Sequence, residues 1–145
     1  MVEIAQNNDI TSWLELLEIV KGSFPGLDLE EYRQLLQKRI SEQSALVIRD
    51  NDTVTGALLF SKDTKKLEFL AVHPQYRENG MAKALVRYML ALFPKGSRIS
   101  VVTYRENDKK GQAARRFYEN IGFTAGELVT VFDYPCQEFY YLISE

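Results

Sequence analysis

Residues Arg77-Glu78-Asn79-Gly80-Met81-Ala82 combine a cation, a glycine and small side chains at the point where an apolar run gives way to a helical pattern. A helix starting there presents backbone N–H groups that lack an intrahelical partner, together with the positive end of its macrodipole. Gly80 puts no side chain between those amides and an approaching anion, so the segment suits a pyrophosphate, with Arg77 and Lys83 adding Coulombic attraction. Each contact of this kind is worth about 0.3–1 kcal/mol. A glycine after asparagine is also ordinary turn chemistry, so the surrounding charge matters. Residues 77–116 hold ten basic and three acidic side chains, a balance of +7, while the rest of the chain carries eight basic and seventeen acidic, a balance of −9. The formal net charge of −2 conceals that division and argues against a nucleic-acid binder driven by bulk charge. Either these cations line solvated helix faces or they attend an anionic, phosphorylated ligand.

Other chemistries are poorly supplied. One cysteine, Cys136, and one histidine, His73, cannot make an intrachain disulfide or the three or four ligands of a zinc site. His73 stands directly before Pro74 and reads as a turn residue. Cys136 falls in an apparent loop without a neighbouring histidine to activate it.

The elements that position the 77–82 segment follow from periodicity. Ile10, Trp13, Leu14, Leu17 and Val20 form one helical stripe with Asp9 as N-cap, and Asp28 caps a second helix running to about residue 43. Two short apolar runs, 45–49 and 54–60, flank Asp50-Asn51-Asp52 as a hairpin, and a third strand runs over 66–72 to Pro74. A helix over 81–93, a strand over 98–104 and a helix over about 111–121 follow, the last burying Ala114, Phe117, Tyr118 and Ile121 and ending at Gly122. Runs over 126–132 and 137–143, split by Asp133-Tyr134-Pro135-Cys136, complete the chain. Helix, helix, three strands, helix, strand, helix, two strands is a mixed α/β pattern on one sheet, and the 145 residues suit a single domain.

This pattern resembles the GNAT N-acetyltransferase superfamily, as a small, single-domain, bacterial-type member. The family marks its acetyl-CoA site with Gln/Arg-x-x-Gly-x-Gly/Ala, which residues 77–82 match, and residues 114–123 match its Ala-x-x-Phe/Leu-Tyr-x-x-x-Gly-Phe segment. The resemblance implies a mixed, mostly antiparallel sheet flanked by helices, and acetyl transfer from acetyl-CoA directly to a primary amine in a ternary complex. It implies that the amides of Glu78, Asn79, Gly80, Met81 and Ala82 cradle the pyrophosphate. It further implies that the main chain of Ala71 and Val72 pairs with the pantetheine arm, an amide near Val72 polarising the thioester carbonyl. Tyr118 matches the tyrosine that protonates the departing thiolate; a phenol with a pKa of about 10 keeps its proton at neutral pH. Many members place a pantetheine-contacting Asn where this chain has Gly111; Asn107 or Asp108 is a substitute, and Asp108 is equally a helix cap.

An ammonium acceptor must lose a proton before it attacks, and Glu68 is the candidate base. By alternation Glu68, Leu70 and Val72 share one strand face, and the resemblance puts a carboxylate there near the acceptor. It acts through water, with a raised pKa, or by holding the ammonium group; a solvated strand residue is the alternative. The resemblance also implies that the acceptor pocket is lined by residues 23–27 and 133–137, contributing Phe24 and Tyr134. The acceptor class, small molecule or peptide, stays open, as does homodimerisation. A non-catalytic acyl-CoA sensing module with the same fold is the rival reading. The first six residues show no basic region followed by an apolar stretch, and no apolar run approaches the roughly 18 residues of a membrane span. The expectation is a cytoplasmic protein without metal, membrane or nucleic-acid partner.

Overall fold

Apolar residues at helical spacing in the first half of the chain are drawn onto one face of a small sheet. The structure, a computed structural model, describes residues 1–144. The chain forms two compact units, Met1–Leu92 and the residues from Phe93 onward.

In the first unit, strands β1 (Val2–Ile4), β2 (Ala45–Asp50), β3 (Thr53–Ser61) and β4 (Lys66–Val72) pair antiparallel in that order. β1 has only three residues, too few to show a period, and escapes sequence reading. Helices α1 (Ile10–Val20) and α2 (Leu29–Ser41) bury Trp13, Leu17, Tyr32 and Leu36 in a cluster with Phe69 and Ala71 of β4. The Trp13 indole donates to the Tyr32 hydroxyl at 2.7 Å, so the largest buried side chain has its polar atom partnered. Asp28 caps α2 by accepting from the Glu31 N–H at 3.0 Å. Asp9 sits at the start of α1 but does not cap it: its carboxylate accepts from the Gln6 N–H at 2.8 Å and from Arg49 at 2.7 and 2.6 Å. A buried acid finds a stronger partner in a guanidinium than in a helix amide. Helix α3 (Met81–Ala91) approaches β3 across Gly56, where an added Cβ would stand 3.2 Å from both Leu85 Cδ1 and Met81 Cε. Glycine there sets the height of the helix that follows the 77–80 loop.

In the second unit β5 (Arg98–Tyr104), β7 (Tyr134–Leu142) and β6 (Thr124–Val131) pair antiparallel, with β7 between the other two, and α4 (Gln112–Ile121) precedes β6. The last two strands extend further toward each other than the sequence suggests. They are joined by Phe132-Asp133, both at positive φ (48° and 63°), the signature of a two-residue hairpin turn usually built from Asn and Gly. Pro135 and Cys136 therefore lie in β7 rather than in a loop, and Cys136 is buried opposite Tyr104 and Val129. The inward face of α4 also differs from expectation: Arg115 and Tyr118 are its buried residues, whereas Ala114, Phe117 and Ile121 are half-buried.

Candidate active site

The first unit holds the loop between β4 and α3. A 3-10 turn (Pro74–Tyr76) follows the strand, and Tyr76 is tied by its hydroxyl to Asp50 in the β2–β3 turn at 2.5 Å. Residues 77–80 are exposed; Glu78 and Gly80 both adopt positive φ (69° and 76°). Gly80 is the N-cap of α3 and supplies no side-chain cap, and an added Cβ at Gly80 would meet nothing within 4 Å. The Ala84 N–H is the first of the helix to bond back, to the Gly80 carbonyl at 3.0 Å. The amides of Met81, Ala82 and Lys83 thus open to the side where Gly80 leaves room, and Lys83 is itself exposed. Unpartnered amides at a helix start are able to receive an anion with delocalised oxygens.

The end of β4 distinguishes its two backbone candidates. The His73 N–H donates to the Thr55 carbonyl at 2.8 Å. Successive residues of an antiparallel strand turn their backbone groups alternately toward and away from a neighbour. Ala71 therefore faces β3 with its N–H and C=O, and Val72 turns both away from it. The Val72 carbonyl accepts from Arg77 Nε at 3.2 Å, which brings the loop cation back against the strand end.

Glu68 is not where simple alternation puts it. Leu59 pairs with Phe69 and Phe60 with Leu67, so Glu68 is the extra residue of a β-bulge and has no partner across the ladder. Its carboxylate turns to α2, accepting from Arg39 Nε at 2.7 Å and Nη2 at 2.9 Å, while Arg39 Nη1 donates to Glu42 at 3.0 Å. Leu36 and Ile40 of that helix share their cluster with Phe69 and Ala71, so the bulge breaks the expected common face with Leu70 and Val72. Arg39, 9% exposed, is the residue that sequence reading misses. Its signal was position, seven residues after Tyr32 and three after Leu36 on the inward stripe.

The α1–α2 connection lines a half-open cleft of about 300 Å³ with Leu17, Glu18, Lys21, Phe24, Pro25 and Leu27, among others. Phe24 packs its ring 4.7 Å from Phe69.

The second unit holds Tyr118. Its ring is 7% exposed and packs against Phe117, Phe123 and Phe139 at centroid distances of 5.2, 5.4 and 6.4 Å. Burial pushes its phenol well above the ordinary tyrosine range. The hydroxyl bonds to no described residue, yet no buried side-chain oxygen or nitrogen among the described residues lacks a partner. Gly111 is buried, and an added Cβ would stand 2.5 Å from Tyr104 Cβ, so no larger side chain fits there without displacement. Asp108 caps its 3-10 turn by accepting from the Lys110 N–H at 3.0 Å and also accepts from the Tyr134 hydroxyl at 2.5 Å. That bond pushes the Tyr134 phenol up to about 12 and holds the Asp108 carboxyl below its usual range. Among the described residues no group of three His, Cys, Asp or Glu could hold a metal ion, and no helix is long and apolar enough to cross a membrane.

Comparisons with known proteins agree with this geometry. A search of curated proteins returns no match. Among solved structures, a GNAT-family acetyltransferase from Bacillus cereus ATCC 10987 superposes with a TM-score of 0.81 at 21% identity, covering 100% of this chain and 98% of that one. Ard1 from Thermoplasma volcanium gives 0.78 at 18%, covering 100% and 98%. Arabidopsis thaliana Naa50, in complex with the bisubstrate analogue CoA-Ac-MVNAL, gives 0.73 at 17%, covering 97% of each. These likenesses show the fold, a mixed α/β arrangement whose described residues form seven mostly antiparallel strands and four helices. The model of the acetyltransferase (GNAT) family matches residues 13–123, a span from α1 through the glycine loop and α4 to the start of β6. The chain belongs to the GNAT acetyltransferase family.

Proposed function

We propose that the protein is an acetyl-CoA-dependent N-acetyltransferase, residues 1–145 acting as one catalytic domain that moves an acetyl group directly to a primary amine in a ternary complex. The observation that carries the reading is the left-handed Gly80 at the start of α3, with open space where a Cβ on Gly80 would stand. In this reading the amides of Glu78 to Ala82 hold the coenzyme A pyrophosphate, and Arg77 and Lys83 attract it. Val72 offers its backbone to the pantetheine arm and thioester, on a strand that Ala71 fastens to β3. Tyr118 protonates the departing thiolate; burial keeps the phenol protonated through the physiological range. Glu68, oriented by Arg39 through both carboxylate oxygens, holds the acceptor ammonium, and the excess proton leaves through water. The Naa50 neighbour, solved with a coenzyme A–peptide analogue, supports coenzyme A as the donor and a peptide amine as one acceptor class. No metal enters the scheme, and the cytoplasm supplies the donor.

Isothermal titration with acetyl-CoA tests the donor; no binding at millimolar concentration would end the proposal. A second reading, a non-catalytic acyl-CoA sensor, is favoured by the Glu68–Arg39 pairing and by Gly111, which leaves no side chain for a pantetheine contact. Thiol release over a panel of small amines and peptides separates the two. The enzyme liberates free thiol with at least one acceptor, and the sensor binds the coenzyme without doing so.

A further inference from the structure

Arg115 is 8% exposed and lies on the buried face of α4. Its Nη1 donates to the Tyr104 carbonyl at 2.9 Å and to Gln137 Oε1 at 2.7 Å, and its guanidinium carbon lies 4.8 Å from the centre of the Phe139 ring. Arg39, Arg49 and Arg98 each pair with an acid, but Arg115 pairs with none among the described residues. A buried cation without a counter-ion is costly, and carbonyl dipoles and an aromatic face offset the cost without cancelling the charge. Nε and Nη2 make no hydrogen bond to a described residue. Tyr118 follows three residues later on the same helix face, and its ring touches the same Phe139.

The charge is not neutralised from the elements packed around this face. β5 presents Ile99, Val101 and Thr103 beside Gln137 and Phe139 of β7, and Tyr141 is the one titratable side chain β7 adds there. On β6, Ala125 lies next to Phe139 and Glu127 is exposed; Glu119 on α4 and the nearby Lys109 and Lys110 are exposed as well, and the half-buried Asp108 before α4 gives its carboxylate to the Lys110 N–H and the Tyr134 hydroxyl.

We propose that Arg115 offsets the negative charge that forms on the coenzyme A sulfur when the tetrahedral intermediate collapses, a role that rests on Tyr118 being the proton donor. In that step the C–S bond breaks and its electron pair goes to sulfur. The phenolic proton of Tyr118 passes to the sulfur, and the phenolate recovers a proton from water. The amine nitrogen keeps the acetyl group, its surplus proton having gone to solvent. Arg115 acts through its field on both anions without taking part in the proton transfer, and it sets α4 by clasping the end of β5 and the middle of β7.

The test reads the thiol of bound coenzyme A directly. Affinity for coenzyme A is followed against pH in the wild type, Arg115→Met, Arg115→Gln and Arg115→Lys, with desulfo-coenzyme A as the probe that carries no thiol. The expected result is a bound-thiol midpoint about one unit higher in the uncharged variants, recovered in Arg115→Lys, with desulfo-coenzyme A affinity the same throughout. kcat falls about tenfold in the uncharged variants, since one unit is a factor of ten. An unchanged midpoint in whichever uncharged variant folds, or a lysine variant that behaves like the uncharged ones, overturns the role of Arg115 alone. Wild-type protein that binds no coenzyme A overturns both this role and the acetyltransferase reading.

Discussion

Glu68 and Tyr118 show how an environment assigns work to a side chain. Each Glu68 oxygen accepts one hydrogen bond from Arg39, and the remaining lone pairs can receive an ammonium group. Glu68→Gln is therefore expected to raise KM for the amine about tenfold and to leave kcat within a few-fold, as steady-state kinetics would show. A kcat collapse with unchanged KM would restore Glu68 as the base. Tyr118 answers to the opposite pressure. Desolvation favours its neutral form, so the donor state persists below a folded-state value lying well above 10. The rate should show no alkaline fall from this group up to about pH 10, and Tyr118→Phe should lower kcat by one to two orders of magnitude. Unchanged turnover in the phenylalanine variant would remove the tyrosine from the mechanism.

At the scale of elements, helices with clear stripes and the Arg-x-x-Gly-x-Ala turn were legible because apolar period and glycine chemistry are local properties. What sequence could not supply was non-local: the bulge that turns Glu68 toward α2, and the pairing that places Pro135 and Cys136 in a strand. α4 is the instructive case. Its strongest apolar stripe suggests an inward face through Ala114 and Phe117, but a guanidinium that finds two carbonyl-type acceptors and a ring can be buried in place of a hydrocarbon. Gly111 illustrates the same limit, since its identity is dictated by Tyr104, seven residues earlier in sequence and in contact in space. Gly111→Ala puts a methyl group 2.5 Å from Tyr104 Cβ, and overpacking of this kind costs about 1–3 kcal/mol. The expected fall in Tm is several degrees, and Tyr104→Gly, which removes the opposing Cβ, combined with Gly111→Ala should cost less than the sum of the single changes. Strict additivity would mean that the two side chains do not compete for one space.

For the molecule as a whole, the uneven charge has a structural side apart from any ligand. Acidic residues outnumber basic ones outside residues 77–116, and there the acids gain structural value where a buried arginine meets them. Asp9 is the deepest, 5% exposed, and joins three elements: the 3-10 turn before α1 through the Gln6 N–H, β2 through Arg49, and β1 through the bond from Arg49 to Glu3. Burial pushes its carboxyl up, but the hydrogen bonds from Arg49 and Gln6 and the charge of Arg49 outweigh it, so the folded value lies below the model-peptide 3.8. The sign follows from that depression. The stabilisation is present in full above the unfolded value, near pH 4, and is lost as pH falls through the lower folded value. Asp9→Asn removes the charge and weakens both bonds from Arg49, and a loss of about 2 kcal/mol near neutrality corresponds to a Tm lower by about 4–8 °C in a chain of this length. Thermal melts of wild type and variant should stay apart from pH 7 to about pH 5 and converge as pH falls through the lowered folded value and Asp9 becomes protonated in both states. A gap that stays constant down to acid pH would show that the asparagine variant suffers from packing, not from the missing charge, and that Arg49 stabilises the fold without its acid.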